Sequence, residues 1–441
     1  MLERKFATYL KEFLTSTPNK VMLVDGARQI GKSYIIRYVG TSMFKHFIEI
    51  DLRTDSEGER IFQNVRTTND FYIQLGILAG DKLGDVSNTI IFLDEIQVYP
   101  HLLTMLKFLN QEHRYRYIVS GSQLGIALSQ STSVPLGSIE TQHMYPLDFE
   151  EFLWAMNVGK DAIESFRQSY IRKESLQETT HNYILKLFRY YLLTGGLPEA
   201  VNTFVSSRNI KRMRQVQHSI YELYKIDASQ YDKQNSLKIR RIYDIIPSNL
   251  ENKKKRVVFR NIENKRGKQF RDYEDEFEYL IQSAVTLDVS AISNPRFPLI
   301  ESVSKNLIKL YLNDVGLLTH ILYNNNENAV LNDQRSINLG TVYESVVAQE
   351  LKAHGFKLHY YDNKQNGEID FLINDYDSLS VLPIEVKSGK DYYIHSALNR
   401  LMANSEYNIK KAIVFSNTRE ISQKGNIVYM PIYYIMFLSN L

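Results

Sequence analysis

The 441-residue chain has no cysteine, which excludes disulfides, cysteine-ligated zinc and thiol catalysis and fits a reducing compartment. It lacks any apolar run approaching the roughly 20 residues that a membrane span needs. Its start, Met1-Leu2-Glu3-Arg4-Lys5, does not lead into the apolar core of a secretion signal, so a cytoplasmic protein without a membrane partner is expected. Net charge is also scarce: 53 Lys and Arg face 50 Asp and Glu, leaving +3, which says little about partners until its distribution is known. What remains, 44% hydrophobic and 23% charged residues, is an ordinary globular composition with length for about three domains.

One stretch organises the rest. Val21-Met22-Leu23-Val24-Asp25 reads as a buried strand running into Gly26-Ala27-Arg28-Gln29-Ile30-Gly31-Lys32-Ser33. The two glycines free the backbone to curl, so that successive N–H groups face phosphate oxygens where the helix from Tyr34 to Val39 begins. Lys32 supplies a mobile positive charge for β- and γ-phosphates, and the Ser33 hydroxyl can ligate Mg²⁺. This is a Walker A loop. Its partner lies 62 positions beyond Lys32 (94 − 32) in Ile90-Ile91-Phe92-Leu93-Asp94-Glu95, an apolar run ending in two carboxylates. Buried on both faces of a parallel sheet, such a strand delivers Asp94 to the end where ligands of open α/β sheets bind. Asp94 is suited to hold Mg²⁺ and Glu95 to act as general base on water. A further strand, Tyr115–Ser122, ends in Ser120 and Ser122, either of which could sense the γ-phosphate or simply form a turn. No Asn-Lys pair continues as N-K-x-D, the sequence that reads guanine, so ATP is preferred to GTP.

Elsewhere, Leu2, Phe6, Tyr9, Leu10, Phe13 and Leu14 recur at helical spacing, Phe47–Leu52 forms a short strand, 70–83 can be helical, and a helix spans Leu102–Leu109. From about Glu164 the pattern turns helical, interrupted at Gly195-Gly196 and Pro198. Residues 208–271 hold eighteen Lys and Arg against six Asp and Glu, a local +12 in a chain of +3. Such segregation reads either as attraction to DNA or RNA phosphates or as a solvated helical surface with a Lys-rich loop at 253–256.

The runs Gly26–Ser33, Leu93-Asp94-Glu95-Ile96-Gln97, Ser120-Gly121-Ser122, Tyr145–Phe152, Gly195-Gly196-Leu197-Pro198-Glu199 and Lys309–Leu318 together resemble a large prokaryotic family of AAA-type ATPases with a conserved C-terminal domain of unknown function (DUF4143 type). The resemblance covers most of the chain and implies ATP and Mg²⁺ as cofactors. Many members carry Gly-Arg where this chain has Gly137-Ser138. If that arginine acts as a finger or phosphate sensor, worth about 10³–10⁵ in rate, fast autonomous hydrolysis is not expected here. In the related family the basic region is similar to a winged helix-turn-helix. The candidate recognition helix here, 272–281, carries five carboxylates and would be repelled by phosphates, so contact is expected from Lys238, Arg240 and Arg241 or the loop beyond.

Past the polar tract Asn324–Asn328, a helix over Val342–Leu351, strands at 357–361, 368–373 and 382–387, a helix from Ser396 and a strand Ala412–Phe415 give an α-β-β-β-α-β order. On this frame Asp370, Glu385 and Lys387 resemble the D…E-x-K signature of the restriction-endonuclease-like fold, with Glu344 as a possible further ligand. Glu385 and Lys387, two apart on a strand, share one face, where Asp370 on a neighbouring strand can meet them. Carboxylates in this arrangement suit Mg²⁺, and Lys387 would act on water; the alternative is strand charges that pair with one another. The expected architecture is therefore multidomain α/β: a P-loop AAA-type parallel sheet over 1–163, a helical and winged-helix-like middle over 164–332, and a small α/β nuclease-like domain over 333–441. The expected function is ATP binding with slow Mg²⁺-dependent hydrolysis coupled to a nucleic-acid transaction. The alternative is an ATP-controlled switch whose C-terminal fold is a non-catalytic module for a protein or nucleic-acid partner.

Overall fold

A computed structural model describes residues 2–16, 19–122, 124, 137–231, 235–332, 339–389 and 392–439. The chain divides into two compact units, 3–145 with 282–284, and 146–281 with 285–441.

The first unit is built on five strands: β1 (Val21–Asp25), β2 (His46–Asp51), β3 (Thr89–Asp94), β4 (Arg116–Ser120) and β5 (Ile139–His143). Their order is β2-β3-β4-β1-β5, and every pairing is parallel, an arrangement typical of P-loop ATPases. β3 is buried along its whole length because helices cover both faces of a parallel sheet, which is why its sequence is a continuous apolar run rather than an alternating one. Leu23, Ile91, Leu93 and Val119 pack in one core with Phe71, Leu102 and Leu106 from the helices Thr68–Ala79 and Pro100–Gln111. The helix Lys5–Ser16 buries Phe6, Leu10, Phe13 and Leu14, the stripe its spacing predicts. β5 had no signal in the sequence, since Ile-Glu-Thr-Gln-His offers no apolar run. It exists because β1 presents a free edge, to which it pairs from Val21↔Ile139 through Asp25↔His143.

The second unit holds an eight-stranded sheet: β6 (Thr286–Ile292), β7 (Val303–Leu312), β8 (His359–Asn363), β9 (Gly367–Asp375), β10 (Ser380–Lys387), β11 (Ala412–Ser416), β12 (Ser422–Lys424) and β13 (Ile427–Pro431). Its order is β12-β13-β11-β10-β9-β8-β6-β7. The expected α-β-β-β-α-β run appears as the helix Gly340–Ala353, β8, β9, β10, the helix Ser396–Ala403 and β11. The sheet extends beyond it on both sides. β12 and β13 add one edge, and β6 and β7 add the other through parallel pairing of β6 with β8. The antiparallel pair β6–β7 follows the helices Ile210–Tyr231, Ser236–Glu251 and Glu274–Gln282 and forms one edge of the larger sheet.

Three of the short runs that carry the family resemblance meet in this unit. Leu147 N–H donates to Gly196 O at 2.7 Å, Gly196 N–H donates to Asp314 Oδ2 at 2.6 Å, and Asp314 Oδ1 accepts from Leu317 N at 3.1 Å, capping the helix Val315–Tyr323. A Cβ at position 196 would stand 2.0 Å from the Leu147 carbonyl oxygen, so only glycine allows the two backbones to approach this closely. These runs are a packing knot, and their residue types are set by backbone proximity.

Candidate functional site

At the carboxyl ends of β1, β3 and β4 the first unit brings together the residues singled out in its sequence. Gly26 has φ +142°, and a Cβ there would lie 2.3 Å from the Met144 carbonyl oxygen, so the loop can turn off β1 only at a glycine. Gly31, at φ 90°, precedes the helix Lys32–Met43, and the N-terminus of that helix points its free N–H groups at the loop. Lys32 is buried, and its Nζ donates to Gly26 O and Ala27 O at 2.8 Å each. Burial lowers its pKa, against the opposing charges of Glu95, Asp25 and Asp94. Ser33 Oγ donates to Asp94 Oδ2 at 2.5 Å, and Ser120 Oγ donates to Asp94 Oδ1. β4 lies between the Walker A and Walker B strands, so the serine at its end is the natural bridge between them. Of the two serines, Ser120 thus attaches to Asp94 and Ser122 to Glu95, accepted at Oε2 over 3.2 Å. Arg28 Nε donates to Ser122 Oγ at 3.3 Å. Gln29 takes a left-handed φ of 64° within the loop, Ile30 is fully buried beneath it, and Tyr34 is 52% exposed, leaving its ring accessible beside the loop.

Glu95 itself has φ 54°, uncommon for a residue other than glycine. Gln97 Nε2 donates to its Oε2, so two donors aim this carboxylate. Sequence reasoning gave Gln97 no role of its own, although its place two residues after the Asp-Glu pair was a usable signal. It missed Arg4 altogether: this buried guanidinium donates to Ile30 O at 3.1 Å and Tyr145 O at 2.6 Å, clamping the phosphate loop from just ahead of the amino-terminal helix. No local pattern marks such a residue, because both of its partners are distant carbonyls.

Position 138 lies away from the phosphate loop. The Ser138 carbonyl accepts from Val21 N at 2.9 Å, at the amino end of β1, whereas the phosphate loop leaves the carboxyl end. Five residues of strand separate them, about 16 Å, beyond the span of an arginine side chain. An arginine at 138 could not reach this chain's own loop, so its absence bears on hydrolysis only where such an arginine would act on a second copy.

In the second unit the D…E-x-K residues come together. The β9–β10 register ends at Ile384↔Phe371, and the next step sets Glu385 opposite Asp370. Asp370 Oδ2 accepts from Val386 N at 2.8 Å. Lys387 Nζ donates to Glu385 Oε1 at 2.7 Å, while Glu385 Oε2 is sealed from solvent with no hydrogen-bond partner. Glu344, on the helix Gly340–Ala353, is buried and paired with Lys255. Burial first, and the Asp370 charge second, push Glu385 up to about 8 and raise Glu344. Lys255 and Lys387 are raised as well, the carboxylates they face outweighing their own burial. Lys309, wholly buried in β7, pairs with Glu368. Among the described residues no group of three or more His, Asp or Glu is disposed as a ready metal site, since each carboxylate has an ammonium group or a backbone N–H drawn onto it. Lys255 and Lys309 were not foreseen as members of this cluster.

The basic segment is partly spent internally. Lys225 pairs with Asp244 and Glu222, Lys238 with Glu276 on the acidic helix, and Arg256 with Asp362. The loop 253–256 therefore turns half its charge inward, leaving Lys253 and Lys254 exposed together with Arg240, Arg241, Arg260, Lys265 and Arg266. No described helix is long and apolar enough to cross a membrane.

Residues 18–153, most of them in the first unit, match an AAA domain family. Residues 185–328 and 339–435 match two families described only as domains of unknown function, DUF8612 and DUF4143. Similar solved structures include the Walker-type ATPase PABY2304 of Pyrococcus abyssi, 15% identical with a TM-score of 0.44 over 75% of this chain and 96% of that one. PCH-2 of C. elegans is 10% identical, with a TM-score of 0.27 over 46% of this chain and 61% of that one. The S. cerevisiae Hsp104–ADP complex is also 10% identical, with a TM-score of 0.30 over 64% and 38%. No curated protein matches the chain.

Proposed function

We propose that the protein binds ATP and hydrolyses it slowly with Mg²⁺. The observation that carries this reading is the meeting of Lys32, Ser33, Asp94 and Ser120 at one point beside the start of the helix Lys32–Met43. Main-chain N–H groups of residues 26–33 would hold the phosphates. Lys32 would exchange its two loop carbonyls for phosphate oxygens. The Ser33 hydroxyl and Asp94 carboxylate, hard oxygen donors already in contact, fit Mg²⁺, which when bound supplies charge neutralisation at the phosphates. Glu95, aimed by Gln97 and Ser122, takes the proton of the attacking water. Arg28, Gln29 and Tyr34 belong to the same loop and helix start. Lys32→Ala should abolish ATP binding; Glu95→Gln should bind normally and lose about 10²–10⁴ in phosphate release, the worth of a positioned base. Undiminished affinity in Lys32→Ala would refute the reading.

The division into 1–163, 164–332 and 333–441 belongs to the same proposal, with hydrolysis coupled to the second unit. There the favouring observation is the orphaned Oε2 of buried Glu385 facing Asp370, a lone pair that a cation would satisfy. Glu344, Asp370 and Glu385 would hold a divalent ion once Lys255 and Lys387 swing aside, and Lys387 would then act on water at a nucleic-acid phosphate. The exposed cations of segment 208–271 supply attraction for DNA or RNA. If no metal binds, the cluster is a charge-paired core and the chain is better read as an ATP-controlled switch that engages a partner.

A further inference from the structure

The helices Ile210–Tyr231 and Val315–Tyr323 border an open cavity of about 750 Å³ whose lining includes Lys211, Arg214, His218, Glu222 and His320. Arg214 is 2% exposed. Its Nη1 alone is engaged, donating among the Leu193 and Gly316 carbonyls, Gln217 Oε1 and Thr319 Oγ1 at 2.9–3.2 Å. Nε and Nη2 are sealed from solvent and have no partner. Their N–H bonds run parallel along one edge of the guanidinium, the edge that grips two oxygens of a phosphate or carboxylate at once. A buried donor left empty costs about 1–3 kcal/mol, and here two stand side by side while four acceptors fix the opposite corner of the group.

The surroundings are positive. Lys211 and His218 are exposed at the rim, and the His218 and His320 rings lie 5.6 Å apart. His320 Nδ1 is also buried without a partner. Burial, with the charges of Arg214 and His218, pulls His320 down to about 4. Glu222, the carboxylate in the lining, is held by Lys225 at 3.3 Å. Asp314 and Glu327 attract Arg214 through space, but Asp314 is committed to the amides of Gly196 and Leu317.

We propose that this cavity binds a phosphate monoester group, free or at the end of a nucleic-acid strand, with Lys211, His218 and His320 around it and the Nε–Nη2 edge of Arg214, sealed beneath the lining, uncovered to meet it by a shift of the side chains above. The site is independent of the Walker A loop. Full-length Lys32→Ala protein, whose own phosphate loop is disabled, should be titrated calorimetrically with inorganic phosphate and with 5′-phosphorylated and 5′-hydroxyl oligonucleotides. Saturable binding is expected. Arg214→Lys, which keeps the charge but loses the paired edge, should weaken it about tenfold or more, the worth of one charge-assisted hydrogen bond. The rim double variant Lys211→Ala/His218→Ala should weaken it severalfold at an unchanged melting temperature, and it decides the matter if Arg214→Lys does not fold. Preference for the 5′-phosphorylated strand identifies a strand end; binding of inorganic phosphate alone identifies a small ligand. Absence of saturable binding to any probe, or binding unaltered in the rim variant, would overturn the proposal.

Discussion

Asp314 offers a test of the packing knot in which sign and size both follow from the structure. Its carboxylate is fully buried and caps the helix Val315–Tyr323 while accepting from Gly196 N. Burial lifts its pKa from 3.8 to about 6, against the lowering effect of the backbone N–H groups of Gly196, Leu317, Gly316 and Leu197. Below pH 3.8 the group is protonated whether the chain is folded or not, and above about 6 it is ionised in both states. Between these limits only the folded state holds the proton, so its stabilising contribution is greatest at low pH and is lost as pH rises through 6. At 1.36 kcal/mol per unit the loss is about 3 kcal/mol. Asp314→Asn cannot titrate, and it turns one acceptor into a donor facing a backbone N–H, at a constant cost of about 1–3 kcal/mol. Urea unfolding of wild type and variant at pH values from 4 to 7, followed by near-ultraviolet circular dichroism, isolates this one group, because every other titration cancels in the difference. The advantage of wild type over Asp314→Asn should shrink by about 2.4 kcal/mol across that range, since the unfolded carboxyl is already partly ionised at pH 4. An advantage that stays constant or grows with pH would refute the assignment of a buried, proton-retaining carboxyl at the knot.

Arg4→Met should weaken nucleotide binding and lower the melting temperature of the first unit, since the Ile30 carbonyl of the phosphate loop and the Tyr145 carbonyl beyond β5 lose charge-assisted donors worth about 1.5–3 kcal/mol each; unchanged nucleotide affinity would show that the clamp does not shape the loop. Steady-state ATP turnover of the isolated protein should fall below the enzyme median of about 10 per second, and rapid turnover by monomers would contradict it. In the second unit, Mg²⁺ or Mn²⁺ should raise the melting temperature by mass action. Asp370→Ala and Glu385→Ala should erase that rise, whereas Lys387→Ala should preserve it and remove only strand cleavage. Stabilisation without cleavage in wild type would favour a binding module over a nuclease.

The sequence by itself determined the phosphate loop and the Asp94-Glu95 strand end. Phosphate cradling needs glycines, a lysine and a hydroxyl at fixed spacing within one turn of chain, and a strand buried on both faces must be a continuous apolar run. The sequence likewise showed that Glu385 and Lys387 share a strand face, because side chains alternate with a period of two. Tertiary structure alone decided what distance along the chain conceals. β5 is polar and becomes a strand only because β1 has an open edge, and that same pairing sets Ser138 at the wrong end of the sheet to serve its own loop. Arg4, Lys255 and Lys309 find their partners across long sequence separations, and half of the basic loop turns inward because the buried carboxylate of Glu344 and the half-buried one of Asp362 attract it. The side-on edge of Arg214 was equally hidden: whether a guanidinium is saturated or open depends on which acceptors the fold brings to it, and composition counts only the charge.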